Sequence, residues 1–297
     1  MSSFPVRLSA HAALANETLA RLLPSHEEGY DKTLREAMAY SVENGGKRLR
    51  AHLVMEFCEL CGGNREACLP YAAGIEMMHA FSLIHDDLPC MDNDTLRRGK
   101  PTNHVVYGES TALLAGDALS LLALETLACN PSCGDAENLA AVKLLASCAG
   151  CLGMCGGQQI DLQSENKQIS MDELETLVNK KTGALFAAAC ELGCIAAGND
   201  EKRRETAKRF GLLTGLAFQI ADDLLDLRAD ISTLGKTPGK DAESGKSTFV
   251  SLLGETEAYD YASALCGKAK ELLDDFGDSE AKESLCAYCD YIITRTY

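Results

Sequence analysis

The chain has 297 residues, of which 46% are hydrophobic, and it carries a formal charge of −16 with an isoelectric point near 4.8. Nucleic-acid phosphates would be repelled by so acidic a protein, so a nucleic-acid partner is not expected. We see no apolar run as long as a membrane span, and the first residues lack the pattern of a signal or transit peptide, so the sequence predicts a cytoplasmic protein without a membrane span. No stretch resembles a linker, which predicts a single domain over residues 1–297.

The fourteen cysteines do not predict a disulfide framework. Many lie in Ala- and Leu-rich segments, where cysteine behaves as a small buried hydrophobe. Two pairs, Cys58 with Cys61 and Cys286 with Cys289, have the spacing of zinc ligands, but no His pair lies near them. The cysteines therefore indicate reduced thiols in an intracellular compartment.

Alanine and leucine recur at the helical period along most of the chain, and alternating runs of β-branched residues are absent, so the sequence predicts an all-α fold. Gly45-Gly46, Pro70 and Pro131 are among the residues that mark joints between helices. The helix over 109–129 is apolar on nearly all sides, which predicts a place inside the bundle or at a subunit contact. The predicted helices span residues 5–22, 28–43, 48–61, 66–88, 109–129, 135–155, 171–197, 201–229, 255–275 and 279–295.

The stretch from Met77 to Leu88 predicts a helix with one buried face, because its apolar residues fall at i, i+4, i+7 and i+11. Asp86 and Asp87 lie at the end of this helix. Carboxylates there face the negative pole of the helix dipole, which costs roughly 0.3–1 kcal/mol for each charge that is not neutralised. A bound cation would remove that conflict.

After Pro89 ends the helix, Asp92 and Asp94 follow on a segment that can fold back toward the first two aspartates. We call Asp86, Asp87 and Asp92 the first acidic cluster. Oxygen ligands without Cys or His favour Mg²⁺ over Zn²⁺. Arg97 and Arg98 provide planar donors for an anion such as phosphate. The alternative is a solvated acidic turn beside a compensating basic one.

Asp222, Asp223 and Asp226 form a second acidic cluster inside an otherwise apolar helix. Asp222 and Asp226 are one turn apart on the same face, so they repel each other unless an ion lies between them. A solvated face is a poor explanation in such an apolar segment. We expect the two acidic clusters to be opposite walls of one site that holds several Mg²⁺ ions and an anion with several charges, of which diphosphate is the simplest.

Basic residues near glycines provide candidate partners for that anion. Lys47 and Arg50 follow the turn Gly45-Gly46 at the start of a helix, where backbone N–H groups can also bind phosphate. Lys181 and a neighbouring hydroxyl interrupt an apolar helix. Lys236 and Lys246 lie on a Gly-rich loop suited to closing over an anion. Each lysine or arginine could equally be an ordinary surface residue, so the prediction depends on their joint occurrence.

Five motifs resemble those of the short-chain polyprenyl diphosphate synthases, most closely the bacterial and plastid type of farnesyl or geranylgeranyl diphosphate synthase. They are LIHDDLPCMDNDTLRRGKPTNH, GGKRLR, GALFAAA, FQIADDLLD and LGKTPGKDAESGKST, and the resemblance runs from about Glu28 to the C-terminus. It implies an isoprenoid synthase fold, a single large helical bundle around a central apolar cavity, in a homodimer. It also implies a prenyltransferase that condenses isopentenyl diphosphate with dimethylallyl or geranyl diphosphate.

The resemblance implies a role for each motif residue. Three Mg²⁺ ions would be ligated by Asp86, Asp92 and Asp222, supported by Asp87, Asp223 and Asp226. The allylic diphosphate would be bound by Arg97, Lys181, Lys236 and Lys246. The diphosphate of isopentenyl diphosphate would be bound by Lys47, Arg50, His79 and Arg98. The allylic carbocation left by ionisation would face oxygen dipoles near Lys181, Thr182 and Gln219. Without the resemblance, a core histidine with a satisfied hydrogen bond is the favoured interpretation of His79.

Phe81 lies five residues before Asp86, where an aromatic ring in this family blocks the growing chain. It favours the fifteen-carbon product, farnesyl diphosphate, over the twenty-carbon geranylgeranyl diphosphate, which stays the alternative. Ala51 departs from the family motif, which has proline there, and we expect a looser helix start.

Three other functions are alternatives to a synthase. A class I terpene cyclase usually has a different second metal motif and needs no second diphosphate site. A silent regulatory subunit would have lost an aspartate motif. An acidic helical scaffold would bind divalent ions without any prenyl transfer.

Overall fold

The structure is a computed structural model that describes residues 3–228 and 246–295, so Lys236 lies outside the described residues. Within them the chain is almost entirely helical, which confirms the predicted all-α class. The helices are α1 (Phe4–Leu22), α2 (Lys32–Glu43), α3 (Leu49–Leu60), α4 (Arg65–Asp86), α5 (Asn103–Tyr107), α6 (Glu109–Ala128), α7 (Asp135–Ala149), α8 (Met154–Ser164), α9 (Met171–Val178), α10 (Ala184–Ala196), α11 (Glu201–Arg228), α12 (Phe249–Leu253), α13 (Glu255–Leu272) and α14 (Glu280–Thr294).

Three short elements complete the described part of the chain. A π-helical turn, Asn179–Gly183, joins α9 to α10. A 3₁₀ turn, Leu273–Asp275, follows α13. Strands β1 (Leu96–Arg97) and β2 (Lys100–Pro101) pair in antiparallel register and form a two-residue hairpin directly after the first acidic cluster. None of the three was predicted, because each is shorter than the patterns that periodicity detects.

The predicted helix over 135–155 is two helices, α7 and α8, separated by a turn between Gly150 and Gly153. A Cβ at Gly153 would lie 2.0 Å from the carbonyl oxygen of Cys148, so the chain can turn this tightly only with glycine there. The joint predicted at Pro70 is wrong, since Pro70 lies inside α4. Asn64 starts that helix by accepting a hydrogen bond from the Glu66 N–H at 3.0 Å, and Pro70, which lies beyond the first turn, removes only the bond that its N–H would donate to Glu66 O.

Two apolar helices form the centre of the bundle. Helix α4 packs against α3 and α6, and α10 packs against α3 and α11. All of α10 from Leu185 to Ile195 is buried, which accounts for its Ala-rich sequence, because small side chains allow helices to approach closely. The C-terminal end of α4 carries the first acidic cluster, and the π turn lies directly before α10. The core therefore holds both elements of the site in fixed positions.

Neither of the two cavities described next is the central apolar cavity that the resemblance implies. One is an open groove of about 520 Å³ between α11 and α13. The other holds about 30 Å³ beside Arg97 and Arg98. The central cavity and the single domain both stay predictions.

Three helical stretches are long and apolar enough to cross a membrane by length and composition alone, so the expectation that no stretch reaches that length was wrong. They are Arg65–Asp86, Glu109–Ala128 and Asp135–Ser164, and an apolar 18-residue window in each is 67%, 39% and 28% buried within the protein. The first forms the core as α4. The other two include an exposed apolar surface on which Leu113, Leu114 and Leu121 are between 46% and 67% exposed.

A buried polar group, which we call the Arg7–Glu56 cluster, joins α1, α3 and α14. It consists of Arg7, His11, His52, Glu56 and Ser284. Arg7 donates to Glu56 Oε1 at 2.9 Å and to Oε2 at 2.5 Å, and Ser284 donates to Oε1 at 2.7 Å. Burial raises the pKa of Glu56, but Arg7 and Ser284 oppose that rise. The carboxylate is thus held by donors from both ends of the chain.

The two histidines of this cluster are neutral at pH 7. Their Nδ1 atoms lie 2.9 Å apart, so one ring donates to the other. Burial lowers the pKa of His11 to about 4 and lowers that of His52 well below its ordinary value. Ligand atoms of His11, His52 and Glu56 lie within 4.8 Å of one another, close enough to hold a metal ion. Since Glu56 already accepts bonds from Arg7 and Ser284 on both oxygens, a structural role explains the group better.

Candidate active site

The first acidic cluster is shaped by the loop that follows α4. The Asp92 N–H donates to the carbonyl oxygen of Asp86 at 2.9 Å, and the Asn93 N–H donates to Leu88 O at 3.1 Å. Asn93 has a φ of 52°, a left-handed conformation that asparagine tolerates. These bonds turn the loop back, as the sequence predicted, and bring the backbone of Asp92 to that of Asp86.

Asp86 is a carboxylate whose ionised form is destabilised by burial and by neighbouring carboxylates. Burial raises its pKa to about 6, the neighbouring charges of Asp92 and Asp87 add to the rise, and Lys181 and Arg97 oppose it. A divalent cation would relieve this cost, and all the donors here are carboxylate oxygens, the ligands that Mg²⁺ prefers. The first acidic cluster therefore fits Mg²⁺.

Asp87 differs from its two partners, because its side chain is held by Arg97. Arg97 donates to both Asp87 oxygens at 2.6 to 2.9 Å, and Asp87 is only 3% exposed. Arg97 also lies 3.8 Å from Asp94. The sequence did not predict this pair, and both residues are here engaged with each other. A metal role for Asp87 and a phosphate role for Arg97 stay predictions.

The second acidic cluster lies near the C-terminal end of α11. Asp222 accepts a hydrogen bond from Arg295 at 2.7 Å. Asp223 is 8% exposed and accepts bonds from the Gln219 amide at 3.1 Å and from the Phe249 N–H at 3.0 Å, so it fastens α12 to α11. Asp226 is exposed, one turn beyond Asp222. The structure thus distinguishes a partly exposed pair, Asp222 and Asp226, from the buried Asp223.

The π turn before α10 presents the predicted lysine and threonine. Thr182 Oγ1 donates to Gln219 Oε1 on α11 at 3.4 Å, which brings together two residues that the sequence assigned to one task. The turn lies close to α11, since a Cβ at Gly215 would be 2.9 Å from Gly183 Cα. A π turn inserts one extra residue into a helix and is common at functional sites. Here it joins the lysine of the site to the second acidic cluster through Gln219.

Two lysines meet beside the first acidic cluster. Lys181 Nζ and Lys246 Nζ both donate to Asp161 Oδ2, at 2.6 and 3.1 Å. Lys246 also lies 3.7 Å from Asp92 and 3.9 Å from Glu165. Positive charge from two separate segments is therefore concentrated next to Asp86 and Asp92.

The predicted basic cluster, Lys47, Arg50, His79 and Arg98, surrounds the start of α3. Arg98 donates to Gly45 O, and a Cβ at Gly46 would be 2.7 Å from Arg98 Nη1, so only glycine leaves room for this guanidinium. Burial and then four nearby arginines lower the pKa of His79 well below its ordinary value. The histidine is therefore neutral at pH 7, and its surroundings are not those of an ordinary apolar core.

Arg50 and Lys47 belong to the same region as Arg98. Arg50 lies 4.6 Å over the ring of Phe186, and its buried Nε has no hydrogen-bond partner among the described residues. Burial also lowers its pKa. Lys47 is exposed and lies 5.4 Å over the ring of Tyr291. A buried guanidinium with an unsatisfied donor is suited to an anion.

Arg48, between these two, is a structural residue. It donates to Val42 O at 2.5 Å and Asn16 at 2.8 Å, and lies 3.4 Å from Glu76. Glu76 also accepts the Ala51 N–H at 3.0 Å, a bond that proline could not make. The expectation that Ala51 loosens the start of α3 is therefore wrong, because Glu76 fastens it.

The family model described as polyprenyl synthetase matches residues 31–286. This chain belongs to that family. It is 42% identical to the farnesyl diphosphate synthase of Escherichia coli (strain K12), over 98% of this chain and 99% of that one. It is 43% identical to geranylgeranyl pyrophosphate synthase 7, chloroplastic, of Arabidopsis thaliana, over 88% and 76%. A crystal structure of an FPP/GFPP synthase from Zymomonas mobilis superposes with a TM-score of 0.87 at 38% identity, covering 98% and 99%.

As a polyprenyl synthetase, the chain is a prenyltransferase of the short-chain branch, whose members are generally Mg²⁺-dependent. The similar proteins have both farnesyl and geranylgeranyl names, so likeness alone leaves the product open. Phe81 is half-buried, with its ring 4.8 Å from that of His85 in an edge-to-face contact. His85 fits against α6 because residue 116 is glycine, where a Cβ would lie 2.2 Å from the imidazole. Phe81 thus lies on the side of α4 that faces α6.

Sequence reasoning missed two polar residues of this synthetase. Asp161 lies on α8 and binds both lysines, and the signal available was an acid one turn after Gly157 in GGQQIDLQSE. Arg295 lies at the end of α14 and binds Asp222, with its guanidinium 3.7 Å over the ring of Phe218. No local pattern marks Arg295, because its partner is on another helix.

Proposed function

We propose that this chain is a farnesyl diphosphate synthase (geranyltranstransferase), which condenses isopentenyl diphosphate with dimethylallyl diphosphate and then with geranyl diphosphate. One observation carries the proposal: the π turn that bears Lys181 and Thr182 links the two acidic clusters. Lys181 acts electrostatically on Asp86, while its neighbour Thr182 bonds to Gln219, four residues before Asp223. Lys246 lies 3.7 Å from Asp92. Acids that bind metal beside cations that bind phosphate are what ionisation of an allylic diphosphate requires.

The acidic clusters are the proposed binding residues for three Mg²⁺ ions, with Asp86, Asp92 and Asp222 as principal ligands and Asp87, Asp223 and Asp226 supporting them. Bound Mg²⁺ would neutralise charge that develops on the departing diphosphate. Arg97, Lys181, Lys236 and Lys246 bind the same diphosphate in this proposal. The bonds from Arg97 to Asp87 and from Arg295 to Asp222 keep the carboxylates neutralised until then.

The remaining chemistry needs no protein nucleophile. The oxygens near Lys181, Thr182 and Gln219 face the allylic cation, and apolar surroundings exclude the water that would quench it. The double bond of isopentenyl diphosphate then attacks, and a proton leaves to the released diphosphate. The basic cluster holds the second substrate, with Arg50 supplying its unsatisfied donor and neutral His79 an additional hydrogen bond.

The product length is the finer part of the proposal. Phe81, with its ring fixed against His85, limits the chain to fifteen carbons, and geranylgeranyl diphosphate is the alternative. We further propose a cytoplasmic homodimer. The exposed side chains of Leu113, Leu114 and Leu121 on α6 support a contact with a second copy.

Incubation with Mg²⁺, isopentenyl diphosphate and either dimethylallyl or geranyl diphosphate, followed by separation of products by chain length, tests the proposal. Farnesyl diphosphate is the expected main product, and absence of condensation would sink the proposal. A dominant twenty-carbon product would overturn only the length.

Phe81→Ala should lengthen the product in the same assay, because it removes the ring that limits the chain. Ser82→Ala, at the adjacent position, is the control. An unchanged distribution in Phe81→Ala would show that another residue limits the chain.

A further inference from the structure

Asp161 connects the two lysines of the site through a single oxygen. Its Oδ2 atom accepts hydrogen bonds from Lys181 Nζ at 2.6 Å and from Lys246 Nζ at 3.1 Å. Asp161 is 8% exposed and belongs to neither acidic cluster. Lys181 comes from the π turn and Lys246 from the segment before α12, so one carboxylate fixes groups from two separate parts of the chain.

The fold places Asp161 there through a close contact of backbones. One turn earlier on α8 lies Gly157, where a Cβ would be 2.2 Å from Lys181 N and 2.6 Å from Lys181 Cα. Because residues four apart share a helix face, the contact at Gly157 directs Asp161 to the same π turn. The position of the carboxylate is therefore set by rigid elements and not by a loop.

The charges around Asp161 agree with an ionised carboxylate. Burial alone would raise its pKa, but the ammonium groups of Lys181 and Lys246 outweigh burial and hold that pKa below its usual range. Both ammonium nitrogens bond to one oxygen, so without it they would repel each other at short range. Asp161 thus opposes the tendency of the two lysines to separate.

We propose that Asp161 is a positioning residue, which holds the Lys181 and Lys246 ammonium groups together to receive the diphosphate group of the allylic substrate. This inference rests on the proposed function. An ammonium group has three N–H donors, so one bond to Asp161 fixes the Lys181 nitrogen and still lets it bind an anion. Groups that orient a ligand-binding residue commonly change affinity about 10–100-fold when they are removed.

The variant Asp161→Asn separates positioning from charge by the sign of its effect. Loss of a negative charge next to an anion site would by itself tighten diphosphate binding, whereas loss of the shared anchor loosens it. In titration calorimetry with Mg²⁺, we expect Asp161→Asn to bind inorganic diphosphate at least about 10-fold more weakly than the wild type does. Affinity that is unchanged or tighter overturns the proposal, and so does a wild-type protein that binds no diphosphate.

Glu165→Gln is the matched control, because it removes the same charge from the end of the same helix, 3.9 Å from Lys246. Its affinity for diphosphate should stay within about twofold of the wild type, since such an exposed pair contributes little. An equal loss in both variants would mean a general charge effect and would overturn the proposal. Asp161→Glu keeps the charge with a longer side chain and should give an intermediate affinity. If Asp161→Asn does not fold, wild-type affinity in Asp161→Glu overturns the proposal.

Steady-state kinetics add a measurement that a loss of folded protein would not give. Asp161→Asn should raise KM for the allylic diphosphate and leave KM for isopentenyl diphosphate unchanged, because the described basic cluster makes no contact with Asp161. Equal increases in both overturn the assignment to the allylic substrate. The binding experiment needs no turnover, so a wild-type protein that binds diphosphate without making prenyl products would refute the proposed function and leave this inference standing.

Discussion

The Arg7–Glu56 cluster and the first acidic cluster are both buried groups of charges, yet their partners differ. Glu56 is held on both oxygens by Arg7 and Ser284, which are themselves buried. Asp86 lies beside other carboxylates, and its pKa is raised to about 6. Fixed donors thus make the Glu56 carboxylate part of the fold. The carboxylates around Asp86 lie close to one another, so a metal ion that binds there would stabilise their ionised forms.

Asp161 and Asp222 show an arrangement between these two. Each is held by a cationic side chain from a distant part of the sequence, Asp161 by Lys181 and Lys246 and Asp222 by Arg295. Such bonds neutralise the carboxylate without surrounding it. Asp222 keeps 39% of its side chain exposed, so a metal ion can approach it from solvent.

The largest effect should follow from Asp222→Ala, which breaks the site and affects the fold less than a change in the Arg7–Glu56 cluster. We expect kcat to fall about 10²–10³-fold or more, because the variant lacks a proposed Mg²⁺ ligand. Unfolding free energy should fall by about 1–3 kcal/mol, less than in the Glu56 variant below, because Arg295, whose side chain is 4% exposed, loses its carboxylate partner but keeps its bond to Phe218 O. Steady-state kinetics and urea unfolding measure the two effects, with the exposed Asp278→Ala as control. A large loss of stability would contradict the comparison.

Glu56→Ala should do the reverse. It leaves Arg7 buried with one carboxylate partner fewer, and the cost of breaking a buried pair is about 3–5 kcal/mol. The kcat of the protein that stays folded should not change, because the described hydrogen bonds of Glu56 are with Arg7 and Ser284 and not with either acidic cluster. Replacing Arg7 and Glu56 together with apolar residues should cost less than Glu56→Ala alone. If the double variant is the less stable, the pair contributes more than its charge.

The histidines of the Arg7–Glu56 cluster predict a loss of stability in acid. The pKa of His11 is lowered to about 4 by burial, so the unfolded chain takes up a proton near pH 6.5 while the folded chain does not. Stability contributed by the neutral ring is therefore complete above pH 6.5 and is lost as the pH falls toward 4, on the order of 3 kcal/mol in total. The free energy of unfolding, measured at several pH values between 7 and 4, shows this dependence on pH. The variant His11→Gln should depend less on pH over the same range.

The smallest effect should come from Ala51→Pro, which restores the residue of the family motif. The change removes the N–H that bonds to Glu76 at 3.0 Å and leaves that buried acceptor with Arg48. We expect a loss of about 1 kcal/mol in unfolding free energy and no change in kcat. Ala39→Pro, inside α2, is a harsher control. A gain in stability would mean that proline's stiffness outweighs the lost bond.

The sequence predicted what depends on local patterns. The helical period predicted the all-α class, and Pro89 predicted the end of the helix and the segment that folds back, because these features follow from neighbouring residues. Asp161 and Arg295 were missed because each bonds to a residue in another element, at a separation of 20 and 73 positions from Lys181 and Asp222. Packing decides such pairs: the position of Asp161 one turn after Gly157 is a weak local sign, and Arg295 has none.

The different tasks within each acidic motif were also beyond the sequence. Asp222 and Asp223 are adjacent and chemically identical, but a helix turns them to different sides. One meets Arg295 and the other caps α12 through the Phe249 N–H. The motif alone could not show which carboxylate also fastens α12.

The hydrogen bond from Ser284 to Glu56 spans 228 positions, so the Arg7–Glu56 cluster cannot be complete until both segments have been synthesised. On a ribosome, Glu56 emerges well before α14, the helix that carries the Ser284 hydroxyl. The same helix leads to Arg295, the partner of Asp222. The second acidic cluster therefore acquires its arginine only after Arg295, 73 positions beyond Asp222, has been synthesised.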